Sequence, residues 1–357
     1  MKFSCDKSLL LDGINTVQKA VSAKEHVAAL KGIYLSAETG YLLFAATDLE
    51  IGIQTKRTII DCEEEGRTVI PAKLFSEIVR KLPDGDIFCQ TRDNKFVIKY
   101  RESQVELLVI DPDEFPLLPE IDTEIATLPT EVLKDGIKRT ITSVAPDTLR
   151  PVFSGLYFAL AAGNLDIVGT DTHRLAVFSH QVESDTEFTA IIPGKTANEI
   201  LRLLPSGNVS IKGSNNLLSF EWGETKITTR IIEGAYPAYK QVLPKSFESR
   251  VYLNVAEFKG AIERANILSE GEGKIIKLSG ALDVTLVGSA SGRLQEHIST
   301  EVEGQEILVS ANSKFFLSAL TAIEGEYVHV EFNGSNSPMA LREEGYTHII
   351  LPVRTVE

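Results

Sequence analysis

Nowhere in this chain do apolar residues run on for the roughly 18 positions that a membrane-spanning helix requires. Its start, Met1-Lys2-Phe3-Ser4-Cys5-Asp6, alternates from the first residues instead of presenting a basic and then apolar leader. A soluble protein of the cytoplasm is expected. Cysteine is scarce: Cys5, Cys62 and Cys89 all lie in the first third, odd in number and without CxxC spacing. That pattern excludes a disulfide framework and a thiolate metal centre. The sequons at Asn208 and Asn333 are then coincidental, because glycosylation needs the secretory route. Net positive charge is lacking too. At −14 the chain does not grip nucleic acid by bulk electrostatics, although cations gathered on a few surfaces still offer a local site.

Catalytic signatures are equally thin. HExxH, GxSxG and the dinucleotide-binding glycine fingerprint are all missing. Gly271-Glu272-Gly273-Lys274 resembles the end of a phosphate loop, but the upstream position is Leu268 and the residue after the lysine is Ile275. Asp171 and His173 are close enough for acid–base work or two metal ligands, with no third group at a matching spacing. No catalytic residue, metal ligand or cofactor is assigned.

What is present is repetition. Pro71–Gly85, PAKLFSEIVRKLPDG, returns as PGKTANEILRLLPSG from Pro193 and more loosely as NSKFFLSALTAIEG from Asn312. Its lysines, Lys73, Lys195 and Lys314, are 122 and then 119 residues apart. A second segment repeats likewise: LLLDGINTVQKAV, VLKDGIKRTITSV and EFKGAIERANIL align on Ile14, Ile137 and Ile262. In both segments the apolar residues fall at i, i+4 and i+8, the pattern of a helix with one inward face. Leu74, Phe75, Ile78, Val79 and Leu82 form that face in the first copy, and Leu10, Leu11, Ile14 and Val17 form it in a helix near 8–21.

The outward faces carry cations. Lys73 and Arg80 are two turns apart, about 10 Å along one stripe, and Lys195 and Arg202 repeat them. The other repeated helix adds Lys19, then Lys134, Lys138 and Arg139, then Lys259 and Arg264. Cations recurring in register suggest a repeated anion, against the alternative of an ordinary solvated face.

Between the helices lie short runs bounded by Gly, Asn and Asp, such as Tyr41–Thr47, Lys95–Tyr100, Leu217–Trp222 and Tyr327–Phe332, which read as antiparallel strands. A Thr47-Asp48 turn recurs 123 residues later as Thr170-Asp171. Proline-bearing joints, Glu114–Pro119 and Ala235–Pro244, read as extended connectors. The chain therefore divides into three α+β units, 1–121, 122–246 and 247–357, each with two helices on antiparallel sheet. An apolar strand, Tyr346–Arg354, sits close to the C-terminus and must be packed or bound.

The three-fold repeat, the FP and YP joints, TDTHRLAVFS, EGAYPAYKQVLP and the late LPVR together resemble the bacterial sliding clamp family, the β subunit of DNA polymerase III. The resemblance spans the whole chain. It implies a head-to-tail ring of two chains, three clamp domains in each, that encircles duplex DNA and tethers the replicative polymerase, the clamp loader and other clients without catalysing a reaction. Backbone contacts to an encircled duplex imply sequence-independent, salt-sensitive binding.

Carried over by position, client peptides would meet Thr170, His173, Arg174, Leu175, Pro237 and Val242. From the third unit come Asn312, Phe315, Ser337, Ile349, Ile350, Leu351, Pro352, Val353 and Arg354. DNA would meet Lys24, Lys73, Arg80, Lys138, Arg150, Lys195, Arg202 and Lys274, and the second chain would meet Val105, Ile267 and Leu268. Departures from the family pattern include Thr172 for glycine, Gln241 for a basic residue, Phe315 for tyrosine, a small Val105 and the Thr355-Val356-Glu357 extension. Two rival readings are a repeat-built enzyme using Asp171 and His173, and a peptide-binding scaffold dimer that never encloses DNA.

Overall fold

A computed structural model describes residues 1–22, 27–145, 149–214, 216–268, 275–280, 282–286 and 292–353. Six α-helices appear among them: α1 Lys7–Val17, α2 Ala72–Lys81, α3 Thr130–Thr140, α4 Gly194–Leu203, α5 Val255–Leu268 and α6 Ser313–Ala322. They fall where the two repeated segments fall. Start signals are local: the Asp6 carboxylate accepts from the Ser8 amide at 2.7 Å to cap α1, and Asn312 accepts from the Lys314 amide at 2.9 Å to cap α6. α1 ends earlier than its apolar pattern, continuing as a 3₁₀ turn over Gln18–Ala20.

Two compact units emerge, and neither follows the sequence repeat. One comprises 1–130 with 202–231, the other 131–201 with 232–357. The reason is strand pairing that runs across the joints. In the first unit an eight-stranded antiparallel sheet runs in the order Glu124–Pro129, Asn208–Gly213, Leu217–Trp222, Thr225–Arg230, Ile51–Thr58, Tyr41–Thr47, Gly32–Glu38, Gly66–Pro71. Thr225–Arg230 thus pairs with a strand about 170 positions earlier, Thr225 opposite Thr55 and Thr229 opposite Ile51. A five-stranded sheet, Asp61–Glu64, Lys2–Asp6, Asp86–Arg92, Lys95–Tyr100, Ser103–Leu108, completes this unit.

The second unit repeats the device. Its nine-stranded sheet runs Phe188–Pro193, Gly155–Ala161, Asn164–Thr170, Arg174–Gln181, Tyr346–Ile350, Met339–Glu343, Tyr327–Phe332, Ser249–Asn254, Val302–Gly304. Here the late apolar strand is an interior member, flanked on both sides, which accounts for its composition. A four-stranded sheet is built from Gln295–His297, Asp283–Leu286, Ile275–Gly280 and Ile307–Asn312.

Helices cover the sheets through their apolar stripes. Phe75 of α2 meets Phe96 edge-on with centroids 5.6 Å apart, and Phe258 of α5 meets Phe316 of α6 in the same way at 5.6 Å. All four rings are fully buried, each contributing about 1.5–3 kcal/mol by area. One member of the anticipated α2 stripe departs from it. Leu74 is 53% exposed, because burial centres on Phe75 and Val79 and leaves position 74 at the stripe's edge.

Glycine at position 13 sets how closely α1 approaches its sheet. A Cβ there would stand 2.5–2.6 Å from three atoms of the Phe44 ring, which cannot swing aside in a filled core. Alanine would gain about 1 kcal/mol of helix propensity but lose about 1–3 kcal/mol to overpacking. Gly13→Ala is therefore expected to lower the urea midpoint by about 1 kcal/mol in stability, with Phe44→Leu in the same chain restoring part of it; an unchanged midpoint would show that α1 has room to shift.

Candidate functional site

The site grows from a tight turn. In Thr170–Arg174 the Thr170 hydroxyl donates to the Arg174 carbonyl at 2.6 Å, and Asp171 Oδ1 accepts from the amides of His173 and Arg174 at 2.9 and 3.0 Å. The 47–51 turn is its copy: Thr47 donates to the Ile51 carbonyl at 2.9 Å, and Asp48 Oδ1 accepts from the Glu50 and Ile51 amides. Both turns need a left-handed residue, Leu49 at φ 74° and Thr172 at φ 76°. The carboxylate of Asp171 is thus occupied in shaping a turn and in holding Arg174, whose Nε donates to it at 2.9 Å. That use accounts for Asp171 and His173 without an acid–base pair.

From this turn the strand Arg174–Gln181 pairs with Tyr346–Ile350, Arg174 opposite Ile350 and Leu175 opposite Ile349. Beyond the strand the Leu351 amide donates to the His173 carbonyl at 2.9 Å, and the Val353 amide to the Ser310 carbonyl at 2.7 Å. The connector then folds back across the sheet. Tyr236 stacks on Tyr157 with centroids 4.6 Å apart, and Tyr239 packs among Val168, Leu175, Val177 and Ile349.

Between the turn, the connector and the terminal strand opens a cleft of about 230 Å³. Its walls are Phe153, Thr170, Thr172, Arg174, Leu175, Tyr236, Pro237, Tyr239, Val242, Ile349 and Leu351. Such a surface suits apolar side chains with a few polar groups to orient them. Val242, at 46% exposure, lies open at the cleft.

Seven of the residues anticipated for peptide binding come together here: Thr170, Arg174, Leu175, Pro237, Val242, Ile349 and Leu351. The others are not among its wall residues. Exposed His173 stacks on Phe315 at 6.4 Å, and the Arg174 guanidinium sits 4.8 Å from the Phe315 ring while donating to Ser318 Oγ. Asn312 caps α6, Ile350 is fully buried between two strands, and Ser337, Pro352 and Val353 are half-buried. Arg354 lies outside the described residues, as does the 355–357 extension. The sequence reading missed Phe153, Tyr236, Tyr239 and Thr172 as wall residues, although the two tyrosines flank Pro237 in the quoted connector.

Deep in the same unit the sheet carries polar groups. Asp166, only 4% exposed, accepts from Ser179 Oγ and Tyr239 Oη at 2.6 Å, from Asn164 Nδ2 at 2.7 Å, and faces Lys240 Nζ at 3.1 Å. Burial alone would raise its pKa, but these donors outweigh it and hold the carboxyl below its ordinary value. His348 is fully buried, and burial, with the charge of Arg174, pushes its imidazole down to about 3. It is neutral at physiological pH and bonds Tyr346 Oη through Nδ1 at 2.9 Å.

The cations divide. Lys73 and Arg80 on α2 are exposed, Arg80 reaching Ser76 Oγ at 3.3 Å; Lys195 and Arg202 on α4 are exposed too. Lys138 is exposed, 3.9 Å from Glu324, and Arg150 is exposed before Pro151–Ser154. Lys24 and Lys274 lie outside the described residues. Arg139 is a correction to the polar-face reading. It is 5% exposed, paired with Glu343, 3.5 Å from Asp135 and stacked on Tyr346 at 4.3 Å, so its charge is neutralised inside the protein. Arg264 is engaged by Glu296 at 2.9 Å. Val105 is half-buried on the edge strand Ser103–Leu108, whereas Ile267 is 81% exposed and Leu268 half-buried at the end of α5. Among the described residues no group of three His, Cys, Asp or Glu side chains is arranged to hold a metal, and no helix is long and apolar enough to cross a membrane.

Three consecutive family models match the chain: the N-terminal domain of the DNA polymerase III β subunit at residues 1–119, its central domain at 127–238 and its C-terminal domain at 240–354. The β sliding clamps of Halalkalibacterium halodurans and Staphylococcus aureus are each 32% identical, over 380 and 375 residues, covering 99% of this chain and 100% of theirs. This chain belongs to the bacterial β sliding clamp family. The crystal structure of the DNA polymerase sliding clamp from Bacillus subtilis matches it with a TM-score of 0.95 at 29% identity, covering 100% of both chains. Membership makes the chain a non-catalytic processivity factor of DNA replication, acting with DNA and polymerase, and removes the enzyme reading.

Within this clamp Thr172 holds a left-handed conformation that costs a β-branched residue about 1–2 kcal/mol. Glycine relieves that strain but adds about 0.4–1 kcal/mol of unfolded-state entropy. Thr172→Gly is expected to raise stability by about 0.5–1 kcal/mol in denaturant titration, while Thr172→Ala, which keeps a Cβ, gains little; equal effects would remove strain as the cause.

Proposed function

We propose that the cleft between the 170–174 turn, the 236–242 connector and the terminal strand receives a short hydrophobic segment of each client, with Leu or Phe side chains against Leu175, Pro237, Val242, Ile349 and Leu351. The carrying observation is an open apolar-walled cleft built from the parts of the chain that the family resemblance names for this role. Arg174, anchored by Asp171 and laid on Phe315, links it to His173 and α6, and Asn312, Ser337 and Val353 give a peptide a second place to rest. The exposed faces of α2 and α4, with Lys73, Arg80, Lys195 and Arg202, face phosphates of an enclosed duplex, and Lys138 and Arg150 add to them. Arg139 takes no part.

The domains are 1–121, 122–246 and 247–357, a division supported by the three matched family segments. Two chains close head to tail, as the family does, using Ile267 and Leu268 against the edge strand that carries Val105. Ile267, at 81% exposure, leaves its side chain available to a second chain. A bacterial replication clamp works in the cytoplasm.

Two sets of variants separate the roles. Removing Leu351–Glu357 is expected to abolish polymerase stimulation while leaving the dimer and its retention on DNA intact. Alanine at Lys73, Arg80, Lys195 and Arg202 is expected to do the reverse: impaired loading or sliding, with peptide affinity retained. Stimulation that survives the truncation would sink the cleft assignment, and unchanged behaviour on DNA in the quadruple variant would favour the scaffold reading.

A further inference from the structure

We infer that Asp166 is the positioning residue of the client cleft, a buried anchor that holds the 236–242 connector in place as one wall. The inference rests on the cleft reading above. Asp166 is not itself a wall residue of the cleft. It acts through Tyr239, whose hydroxyl donates to Oδ2 at 2.6 Å while its ring packs against Leu175 and Ile349, two residues of the opposite wall. The next residue, Lys240, reaches the same oxygen at 3.1 Å. Oδ1 is held from below by Ser179 at 2.6 Å and Asn164 at 2.7 Å, so the carboxylate cannot rotate to follow the connector.

The chain contains its own control. At the first joint the same positions, 123 and 121 residues earlier, are Leu43 and Leu118. There an aromatic contact is kept, Tyr34 tilted against Phe115 with centroids 5.2 Å apart in place of the Tyr157–Tyr236 stack. The buried acid and phenol are not kept. Apolar packing, Leu118 against Gly52 and Leu43 beside the cluster of Tyr34 and Phe115, thus seats that connector, and a carboxylate 4% exposed is costly unless fully hydrogen-bonded. What the Asp166–Tyr239 pair adds is direction. A hydroxyl bound to a fixed acceptor places the ring at one angle, whereas apolar packing tolerates several. The polar pair stands at the joint whose connector lines the client cleft.

The test uses the intact dimer and a short fluorescein-labelled synthetic peptide bearing adjacent Leu and Phe, read by anisotropy well below the melting transition. Tyr239→Phe, which keeps the ring and loses the hydroxyl, and Asp166→Asn are each expected to weaken binding about tenfold. The double variant should be no weaker than Asp166→Asn alone, which also loses the charge facing Lys240, because the Tyr239 bond is already disrupted there. Near-ultraviolet circular dichroism should report the loosened tyrosine cluster in both singles. Tyr239→Phe keeps the question answerable if Asp166→Asn fails to fold. Unchanged peptide affinity with a lowered melting temperature would make Asp166 a purely structural residue and overturn the inference, as would additive losses in the double variant. If the unmodified protein itself leaves the peptide free, the cleft reading falls and the inference falls with it.

Discussion

The antiparallel ladder between Arg174–Gln181 and Tyr346–Ile350 is the constraint on which the functional half of this protein depends. Backbone groups buried in a sheet must be paired, so the terminal strand has one register, and register decides which side chains face which way. Tyr346 and His348 fall on one side, where they meet Arg139 and each other. Ile349 falls on the other, where it joins Leu175, Val177 and Tyr239 and leaves an edge of apolar surface open to the cleft. A slip of one residue would bury the cleft side chains and turn His348, now fully buried, toward the cleft.

The same ladder geometry at the other joint, Thr225–Arg230 on Ile51–Thr58, fixes the first unit. Both joints therefore share a turn, a strand pairing and an aromatic contact. Their chemistry differs. Where the second joint has Leu175 and Ile349, the first has Gly52 and Thr228, and the end of the Leu118 side chain occupies the space that a Cβ at Gly52 would take. Repetition supplied a cleft at each joint, and substitution within it made the walls of the second more apolar. The helix cations are not all alike: Lys73, Arg80, Lys195 and Arg202 are exposed, whereas Arg139 and Arg264 are paired with carboxylates.

Much of this was legible in the sequence, for physical reasons that also mark the limits. The strands Tyr41–Thr47, Lys95–Tyr100, Leu217–Trp222 and Tyr327–Phe332 have the bounds that alternation and flanking turn residues implied. The Thr-Asp turns were visible because a side chain that caps its own turn acts within four residues. Non-local facts were not visible. Nothing in a helix-face pattern tells that Arg139 is met by Glu343, 204 positions away, or that Tyr239 finds Asp166 across 73. Charge on a helix reads as solvated until its partner is known. Likewise the terminal strand reads as an edge by position, and only its two neighbours reveal an interior member. The cleft followed from the family resemblance more than from the residues themselves, and Phe153 carried no local signal at all.

Retention on circular DNA tests the central claim most directly. The protein is loaded onto a nicked circular plasmid by a clamp-loader ATPase, washed at high salt, and its release is followed before and after the plasmid is cut once. A clamp held by enclosure stays on the circle through the wash and runs off the linear form. Equal retention on both forms would mean that the protein binds by contact, and that the exposed cations of α2 and α4 are an ordinary charged surface.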